Sequence, residues 1–346
     1  MASTDKRTIF FTGATGYVGG TVLARLVDHP TFANSEFTLL IRPSKKDKVS
    51  TLHSLGFKTV LGSYDDLDIL EEQASKADII FSIADADNLA AAQAILRGSK
   101  KRYEATGRQP LLIHTSGTGV LVDDAKGLHS TDIIYDDLNP DQIETLAITQ
   151  LHRNVDVAIV DADRENYVKT YVILPSTIYA LAKTKFVDLG LQNPSSLQIP
   201  QLIRAGLLKG QGGVVGKGEN VWPNVHVDDV ADLFVVVYEN ALSGRAGHGR
   251  EGFYFGENGE HKLYDLSKVI AQELYNVGKG KSPEPAPFTE EDYNRPENFG
   301  LEFLGTNARC LARGGRALGW KPRYTTEDVF KSIRPEVEYV IRSGKY

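Results

Sequence analysis

Short apolar segments alternate with longer amphipathic segments over the first half of the chain. The apolar segments are rich in Val, Ile, Leu and Phe on both faces, which is typical of parallel strands covered by helices. This alternation predicts an α/β fold, a Rossmann-type doubly wound parallel sheet. The predicted strands are Thr8–Thr12, Phe37–Ile41, Lys58–Leu61, Asp78–Ile83, Leu111–Thr115 and Val168–Leu174. The predicted helices between them are Tyr17–Val27, Lys45–Leu55, Leu67–Ser75, Asn88–Thr106 and Ile143–Asp163.

The pattern changes after Pro175, where glycine and proline become frequent. We expect residues 1–180 to form a dinucleotide-binding domain and residues 181–346 a smaller C-terminal substrate-binding lobe. Residues of about 225–256 are expected to return to the Rossmann core. The lobe is too discontinuous to predict an independent second core. Its predicted elements are helices Pro200–Leu208, Val227–Asn240 and Leu263–Tyr275, a strand Gly252–Phe255 and a helical end from Thr326.

Composition excludes several classes of protein. The net charge of -6 and a pI of about 5.8 argue against a nucleic-acid-binding surface. One cysteine, Cys310, allows no disulfide within the chain, which fits a reducing compartment. The first residues do not resemble a signal peptide, and no apolar run approaches the roughly 20 residues that span a bilayer. We therefore expect a cytoplasmic protein with no membrane partner.

Three glycines follow the first predicted strand at G-x-x-G-x-x-G spacing. Gly13 allows a tight strand-to-helix turn, Gly16 allows backbone to approach phosphate, and Gly19 allows close packing of helix on strand. A pyrophosphate would then lie on the free N–H groups at the start of the helix. The alternative is a tight turn without a ligand, but the position between a strand and a helix favours dinucleotide binding.

The residues after the second predicted strand indicate which dinucleotide binds. An acidic residue there would bind the ribose hydroxyls of NAD, but this chain has Arg42 followed by Ser44, Lys45 and Lys46. Arginine and lysine pair with phosphate, so the segment predicts NADP(H), with NAD less favoured. The alternative is a solvated basic helix start. After the third strand, Tyr64 and Asp65 are candidates for contact with the adenine.

Six segments resemble the extended short-chain dehydrogenase/reductase family, in its epimerase/dehydratase-like branch. They occur in the family's order along nearly the whole chain, and are Thr12–Gly19, Ala77–Phe81, His114–Gly117, Leu174–Tyr179, Val225–Ala231 and Leu318–Pro322. The resemblance implies a nicotinamide dinucleotide at the carboxyl ends of the strands. Together with the residue-level reasoning, it predicts these cofactor contacts: Gly13, Thr15, Gly16, Tyr17, Val18, Gly19, Arg42, Ser44, Lys45, Lys46, Tyr64, Asp65, Ile83, Ala84, Thr115, Pro175, Thr177 and Ile178.

The catalytic pattern of the family does not transfer. Most members use a tyrosine with a lysine four residues later, and this pair is missing from the helix that precedes Pro175. Counting back from Pro175 places His152 near the position of the lysine. Histidine exchanges protons near neutral pH, so His152 is a candidate proton donor, as is Tyr179. Ser116 and Thr118 are candidates to polarise a carbonyl.

The sequence leaves three functions open. The leading one is an NADP(H)-dependent oxidoreductase, carbonyl reductase or dehydrogenase-like, acting on a small carbonyl or alcohol compound. The second is an NADP-binding regulator or sensor without turnover, resembling the NmrA-like members. The third is a nucleotide-sugar epimerase or dehydratase, against which the missing tyrosine counts. No H-x-x-H or C-x-x-C spacing predicts a metal, and a homodimer is compatible with the sequence.

Overall fold

The computed structural model describes residues 6–344; the outer ends of the two predicted domains, residues 1–5 and 345–346, lie outside the described residues. The strands are β1 Arg7–Phe11, β2 Ser35–Ile41, β3 Lys58–Leu61, β4 Ile79–Ser82, β5 Leu111–Thr115, β6 Tyr135–Asp136, β7 Lys169–Pro175, β8 Thr177–Tyr179, β9 Gly213–Val214, β10 Val221–His226, β11 Phe253–Gly256, β12 Glu260–Lys262, β13 Ala286–Pro287 and β14 Cys310–Leu311.

The helices follow the strands in regular alternation through the first half of the chain. They are α1 Tyr17–Val27, α2 Val49–Ser54, α3 Leu67–Ala74, α4 Leu89–Thr106, α5 Pro140–Glu144, α6 Arg153–Arg164, α7 Lys185–Asp188, α8 Gln198–Lys209, α9 Val227–Leu242, α10 Leu263–Asn276, α11 Glu290–Tyr293, α12 Arg313–Ala317 and α13 Thr326–Ser343. Short 3-10 helices cover Phe32–Asn34, Pro43–Lys48, Thr118–Leu121, Gly249–Glu251, Pro296–Asn298 and Leu301–Gly305.

The central sheet confirms the predicted fold class. It has seven strands in the order β11-β7-β5-β4-β1-β2-β3, and every neighbouring pair is parallel. Helix α1 packs on α9, while α3 packs on α4 and α4 on α6, so helices cover both faces. Apolar side chains on both faces of the strands make this burial favourable. The strand order reverses between β1 and β4, where doubly wound sheets bind their ligands.

The C-terminal lobe has its own buried cluster of apolar side chains, and the expectation that it lacks a second core is wrong. The cluster joins α8, α10 and α13 through residues such as Leu202, Ile270 and Val337. The three helices are separated in sequence, so each contributes one apolar face and the cluster forms only on packing. In contrast, α9 and β11 belong to the core around the central sheet.

Two predicted helices are interrupted. The predicted helix over 143–163 is wrong, because α5 ends at Glu144 and α6 begins at Arg153. The Gln150 amide donates to the Val122 carbonyl (2.8 Å), and the backbone N–H of His152 donates to Asp87 Oδ1 (3.1 Å). These long-range hydrogen bonds hold the connecting turn, and His152 takes a left-handed φ of 68°. The predicted helix over 45–55 is a 3-10 helix that continues into α2.

Across residues 6–344, the structure contains no helix with the length and apolar character needed to cross a bilayer.

Candidate active site

The glycine turn between β1 and α1 is sterically demanding. Gly13 has a φ of 78°, and a Cβ there would lie 2.8 Å from the Ile83 carbonyl oxygen. A Cβ at Gly19 would lie 2.2 Å from the Gly13 carbonyl oxygen, so α1 can pack on the turn only with glycine at that position. A Cβ at Gly16 would meet only the Gly13 carbonyl oxygen, at 3.1 Å. Gly13 and Gly19 therefore shape the turn, whereas Gly16 leaves space on the side of the cleft.

A cleft of about 710 Å³ opens from this turn at the carboxyl ends of the central strands. Its volume is within the range of small-molecule sites. Twelve of the eighteen predicted cofactor contacts line it: Gly13, Thr15, Gly16, Tyr17, Val18, Gly19, Arg42, Tyr64, Asp65, Ile83, Ala84 and Ile178. The structure does not bring the other six into its wall; these are Ser44, Lys45, Lys46, Thr115, Pro175 and Thr177.

One wall of the cleft is formed by a segment outside the predicted cofactor contacts. The segment 193–198 contributes Asn193, Ser195, Ser196, Leu197 and Gln198 to the lining. This segment is held against the glycine turn, since the Asn193 backbone N–H donates to the Thr15 carbonyl (3.0 Å). The preceding Gln192 amide donates to the carbonyl of Tyr17 and to the Thr21 hydroxyl. The polar residues in this Gly- and Pro-rich stretch were the available signal, but only the tertiary structure shows where they lie. Further lining residues outside the prediction are Leu40, Ser63, Asp85, Asn88 and Ser176.

Arg42 lies where β2 ends and is the only cation in the lining of the cleft among the described residues. No carboxylate within residues 6–344 forms an ion pair with it, so its guanidinium is available to an anion. Ser44, Lys45 and Lys46 continue outward along the 3-10 helix Pro43–Lys48. Tyr64 contributes its ring to the lining, while its hydroxyl is hydrogen-bonded to Thr12 (2.7 Å) and Ser82 (3.0 Å).

His152 and Asp87 form a hydrogen-bonded pair beside the cleft. His152 Nδ1 lies 2.7 Å from Asp87 Oδ1, and the histidine side chain is only 13% exposed. Asp87 belongs to the loop after β4, between Asp85 and Asn88, which both line the cleft. The carboxylate fixes the proton on Nδ1, which leaves Nε2 to exchange a proton with a ligand. No local pattern in the sequence links Asp87 to His152, which is 65 positions away.

The free edge of the His152 ring faces two glycines at the end of β5. A Cβ at Gly117 would lie 3.1 Å from His152 Nε2, and a Cβ at Gly119 would lie 3.2 Å from the same nitrogen. Within the described part of the chain, Nε2 makes no hydrogen bond. The left-handed backbone of His152 costs energy for a non-glycine residue, and such strain is concentrated at functional sites.

Ser116 and Thr118 are buried beneath this region. The Ser116 hydroxyl donates to Asp156 Oδ2 at 3.1 Å, and burial raises the pKa of the Asp156 carboxyl to about 7. Several neighbouring buried polar atoms have no hydrogen-bond partner among residues 6–344, namely His114 Nε2, Thr115 Oγ1, Thr118 Oγ1, Arg153 Nε and Asp156 Oδ1. Such atoms are costly to bury, so their concentration between β5 and α6 marks a site rather than an ordinary core.

Tyr179 lies away from the cleft. Its side chain is fully buried, and its hydroxyl donates to the Thr325 carbonyl at 2.9 Å. Burial raises its pKa further above the usual range for tyrosine. The geometry therefore argues against Tyr179 as a proton donor. Tyrosine and lysine do recur four residues apart at Tyr179–Lys183, Tyr264–Lys268 and Tyr275–Lys279, but none of these pairs is on α6.

A search of residues 6–344 finds no group of three or more His, Cys, Asp or Glu side chains that could hold a metal ion.

Comparisons with known proteins support the Rossmann-type fold. No family model matches the chain. The oxidase ucsJ of an Acremonium species is 31% identical over 337 residues, covering 91% of this chain and 92% of the relative. A solved structure of UDP-glucose 4-epimerase from Thermotoga maritima, with UDP-glucose, has a TM-score of 0.62 at 17% identity and covers 97% of this chain and 99% of its own. A dTDP-glucose 4,6-dehydratase from Bacillus anthracis, solved with NAD, has a TM-score of 0.60 at 15% identity and covers 97% of each chain.

The fold and the glycine turn define a Rossmann-type protein with a ligand cleft at the switch point of its sheet. The chain belongs to the extended short-chain dehydrogenase/reductase family, in its epimerase/dehydratase-like branch.

Proposed function

We propose that the protein is an NADP(H)-dependent oxidoreductase, carbonyl reductase or dehydrogenase-like, with His152 as its proton donor. The observation that carries the proposal is the His152–Asp87 pair, which leaves Nε2 unpartnered beside Gly117 and Gly119. Counting back from Pro175 places His152 near the position of the family's lysine. A histidine there compensates for the missing tyrosine and lysine, because it donates a proton itself.

The residues of the cleft fit a nicotinamide dinucleotide with a phosphorylated ribose. The start of α1 presents free N–H groups, and Gly16 leaves the space that a pyrophosphate needs. Arg42 would hold the 2′-phosphate, because a guanidinium pairs with two phosphate oxygens at once. No carboxylate directly follows β2 to bind the ribose hydroxyls of NAD. Further out, the Ser44 hydroxyl would donate a hydrogen bond to the phosphate, and Lys45 and Lys46 would add positive charge.

Residues of the chain itself would supply the proton that the carbonyl oxygen needs when the carbonyl is reduced. When bound, NADPH supplies a hydride to a carbonyl carbon. His152 in its protonated form then donates from Nε2 to the carbonyl oxygen, while Asp87 holds Nδ1–H and stabilises the positive charge. Gly117 and Gly119 allow the backbone to pack close to Nε2, since a Cβ at either position would lie 3.1 or 3.2 Å from this nitrogen. Ser116 and Thr118 support this region from beneath, together with Asp156.

The relatives support an enzymatic function and the binding of a nicotinamide dinucleotide. The oxidase ucsJ is an enzyme by name, and the dehydratase was solved with NAD. A sensor without turnover would not need the strained His152–Asp87 arrangement. An epimerase remains the alternative that the structural relatives favour, since the Thermotoga enzyme was solved with UDP-glucose.

Two measurements on the purified protein test the proposal. Calorimetric titration with NADPH and NADH should show tighter binding of NADPH. A panel of aldehydes and ketones, followed by NADPH absorbance at 340 nm, should contain at least one that is reduced. Binding without any turnover would favour the sensor, and interconversion of UDP-sugars with NAD would favour the epimerase.

A further inference from the structure

Lys48 joins two segments that border the main cleft. It is the last residue of the 3-10 helix Pro43–Lys48, which directly follows Arg42, and its Nζ donates to the Leu191 carbonyl at 2.9 Å. Leu191 begins residues 191–198, a segment that we call the strap and that contributes five residues to the lining of the cleft. One side chain therefore holds the segment of the proposed phosphate site to a wall of the cleft.

Two further contacts fix the start of the strap. Gln192 is buried against α1, where a Cβ at Gly20 would lie only 2.5 Å from its Cγ. The Asn193 backbone N–H donates to the Thr15 carbonyl in the glycine turn. Lys48 adds a contact from a different element, so the position of the strap is set jointly by α1, the glycine turn and the 3-10 helix.

The remainder of the strap offers hydrogen-bond donors. Ser196, Leu197 and Gln198 line the cleft, and their backbone N–H groups make no hydrogen bond within residues 6–344. The Leu197 side chain is 78% exposed, so it does not bury this part of the strap in the C-terminal lobe. Backbone donors need a partner, and a dinucleotide in the cleft can supply one. The position of the strap therefore bears on how tightly the cofactor is held.

The charge around Lys48 links the strap to the proposed phosphate site. Burial lowers the pKa of Lys48, and the nearby positive charge of Lys45 lowers it further, while Asp47 opposes this shift only in part. A phosphate dianion bound beside Lys45 would offset the repulsion between the two lysines. The 2′-phosphate of NADP(H) would thus favour the charged form of Lys48 and strengthen its hydrogen bond to Leu191. NAD(H) lacks this phosphate and would leave the contact unchanged.

We propose that Lys48 is a positioning residue that couples the 2′-phosphate of the cofactor to the strap. Arg42 and its neighbours hold the phosphate, and Lys48 passes the effect to Leu191, which keeps the strap against the dinucleotide. Lys48 is then a second determinant of cofactor preference that does not itself touch the phosphate. The inference rests on the proposed function for the choice of NADP(H) as the ligand.

Calorimetric titration with NADPH and NADH tests the coupling. Lys48→Met should weaken NADPH binding roughly three- to tenfold and NADH binding by less than about twofold, because only NADPH strengthens the contact that is lost. Lys48→Arg keeps a charged donor and should stay within about threefold of wild type for both cofactors. Lys279→Met is the matched control, since Lys279 is exposed and follows α10 in the C-terminal lobe. Equal loss for both cofactors in Lys48→Met, or no loss for either, overturns the inference.

Hydrogen exchange reports the strap directly and does not depend on turnover. In the wild type, NADPH should slow exchange of the amides of residues 196–198 more than NADH does. In Lys48→Met the two cofactors should protect these amides to the same extent. A difference between the cofactors that persists unchanged in Lys48→Met contradicts the coupling. Circular dichroism checks that each variant is folded, and Lys48→Gln replaces Lys48→Met if the latter does not fold.

This inference and the proposed function fail in different ways. If Lys48→Met selectively weakens NADPH binding but no carbonyl compound is reduced, the coupling stands and the reductase does not. If a carbonyl compound is reduced with NADPH while Lys48→Met keeps the full cofactor preference, the reductase stands and the role of Lys48 is wrong.

Discussion

Asp87 Oδ1 accepts two hydrogen bonds from His152, one from the ring at 2.7 Å and one from the backbone N–H at 3.1 Å. One carboxylate oxygen thus sets both the tautomer of the ring and the left-handed backbone that aims it. His152 is also the N-cap residue of α6, so the same contact lies where the preceding turn ends and the helix begins. The proposed proton donor and the local fold therefore depend on the same residue pair.

Removing the proton donor should lower turnover without weakening cofactor binding. We expect His152→Gln to reduce kcat by about 10²–10⁴-fold, the usual loss for a positioned general acid. Asp87→Asn should lower kcat in the same direction, since the neutral amide does not stabilise the imidazolium. Turnover with a reducible ketone and calorimetric NADPH binding are measured for each variant. His53→Gln, an exposed histidine hydrogen-bonded to Thr59, is the matched control. Near-normal kcat in His152→Gln would show that the proton comes from elsewhere.

The preference for NADPH should depend on Arg42. Loss of a charge-assisted hydrogen bond to phosphate costs about 1.5–3 kcal/mol, so Arg42→Ala should weaken NADPH binding roughly tenfold to a hundredfold and leave NADH binding nearly unchanged. Calorimetric titration of both cofactors measures this. Arg108→Ala is the control, because Arg108 is exposed and precedes β5 at the opposite end of the sheet. Equal loss for both cofactors would mean that Arg42 supports the fold rather than the phosphate.

Two glycine variants should separate ligand contact from folding. Gly16→Val should abolish dinucleotide binding in a folded protein, since the backbone at Gly16 is extended and its only close neighbour is the Gly13 carbonyl at 3.1 Å. Gly19→Ala should fail to fold normally, because its Cβ would lie 2.2 Å from the same backbone oxygen. Circular dichroism and thermal unfolding report the fold, and calorimetry reports binding. Undiminished binding by Gly16→Val would mean that the glycine only shapes the turn.

Asp156 should make stability fall as pH rises. Burial raises its pKa in the folded protein to about 7, whereas an unfolded aspartate has a pKa of about 3.9. Between these values the folded state binds more protons, so the free energy of unfolding decreases from about pH 4 to about pH 7. Asp156→Asn removes this contribution. The variant should therefore gain roughly 1–3 kcal/mol relative to wild type between about pH 5 and pH 8.

Urea denaturation at about pH 5 and about pH 8 measures the difference in the free energy of unfolding between Asp156→Asn and wild type. Asp161→Asn on the same helix is the control, because Asp161 is half exposed and pairs with Arg164. A gain of the same size in Asp161→Asn, or none in Asp156→Asn, would contradict the assignment.

Tyr179 should matter for stability rather than for proton transfer. Tyr179→Phe removes the hydrogen bond from the buried tyrosine to the Thr325 carbonyl, which should cost about 0.5–1.5 kcal/mol. We expect kcat to stay within about twofold of wild type, measured with the same ketone as for His152→Gln. A loss of kcat on the scale of His152→Gln would return Tyr179 to the candidates for proton donor.

Local patterns in the sequence were sufficient for the central sheet. Each predicted strand of the first half has its counterpart in the structure within about two residues, and the glycine turn lies between β1 and α1 as expected. These features depend on residues close together in sequence: apolar runs select strands, and three glycines at fixed spacing select one turn. Arg42 was predictable for the same reason, since it directly follows the end of β2.

The rest of the site was decided by contacts between distant parts of the chain. The segment 193–198 forms a wall of the cleft because it is held against the glycine turn, where the Asn193 N–H donates to the Thr15 carbonyl. The predicted long helix failed at His152 because a carboxylate from the loop after β4 captures its backbone N–H. Helix propensity acts over a few residues, whereas this hydrogen bond joins residues 65 positions apart, so only the folded chain brings the proton donor and its partner together.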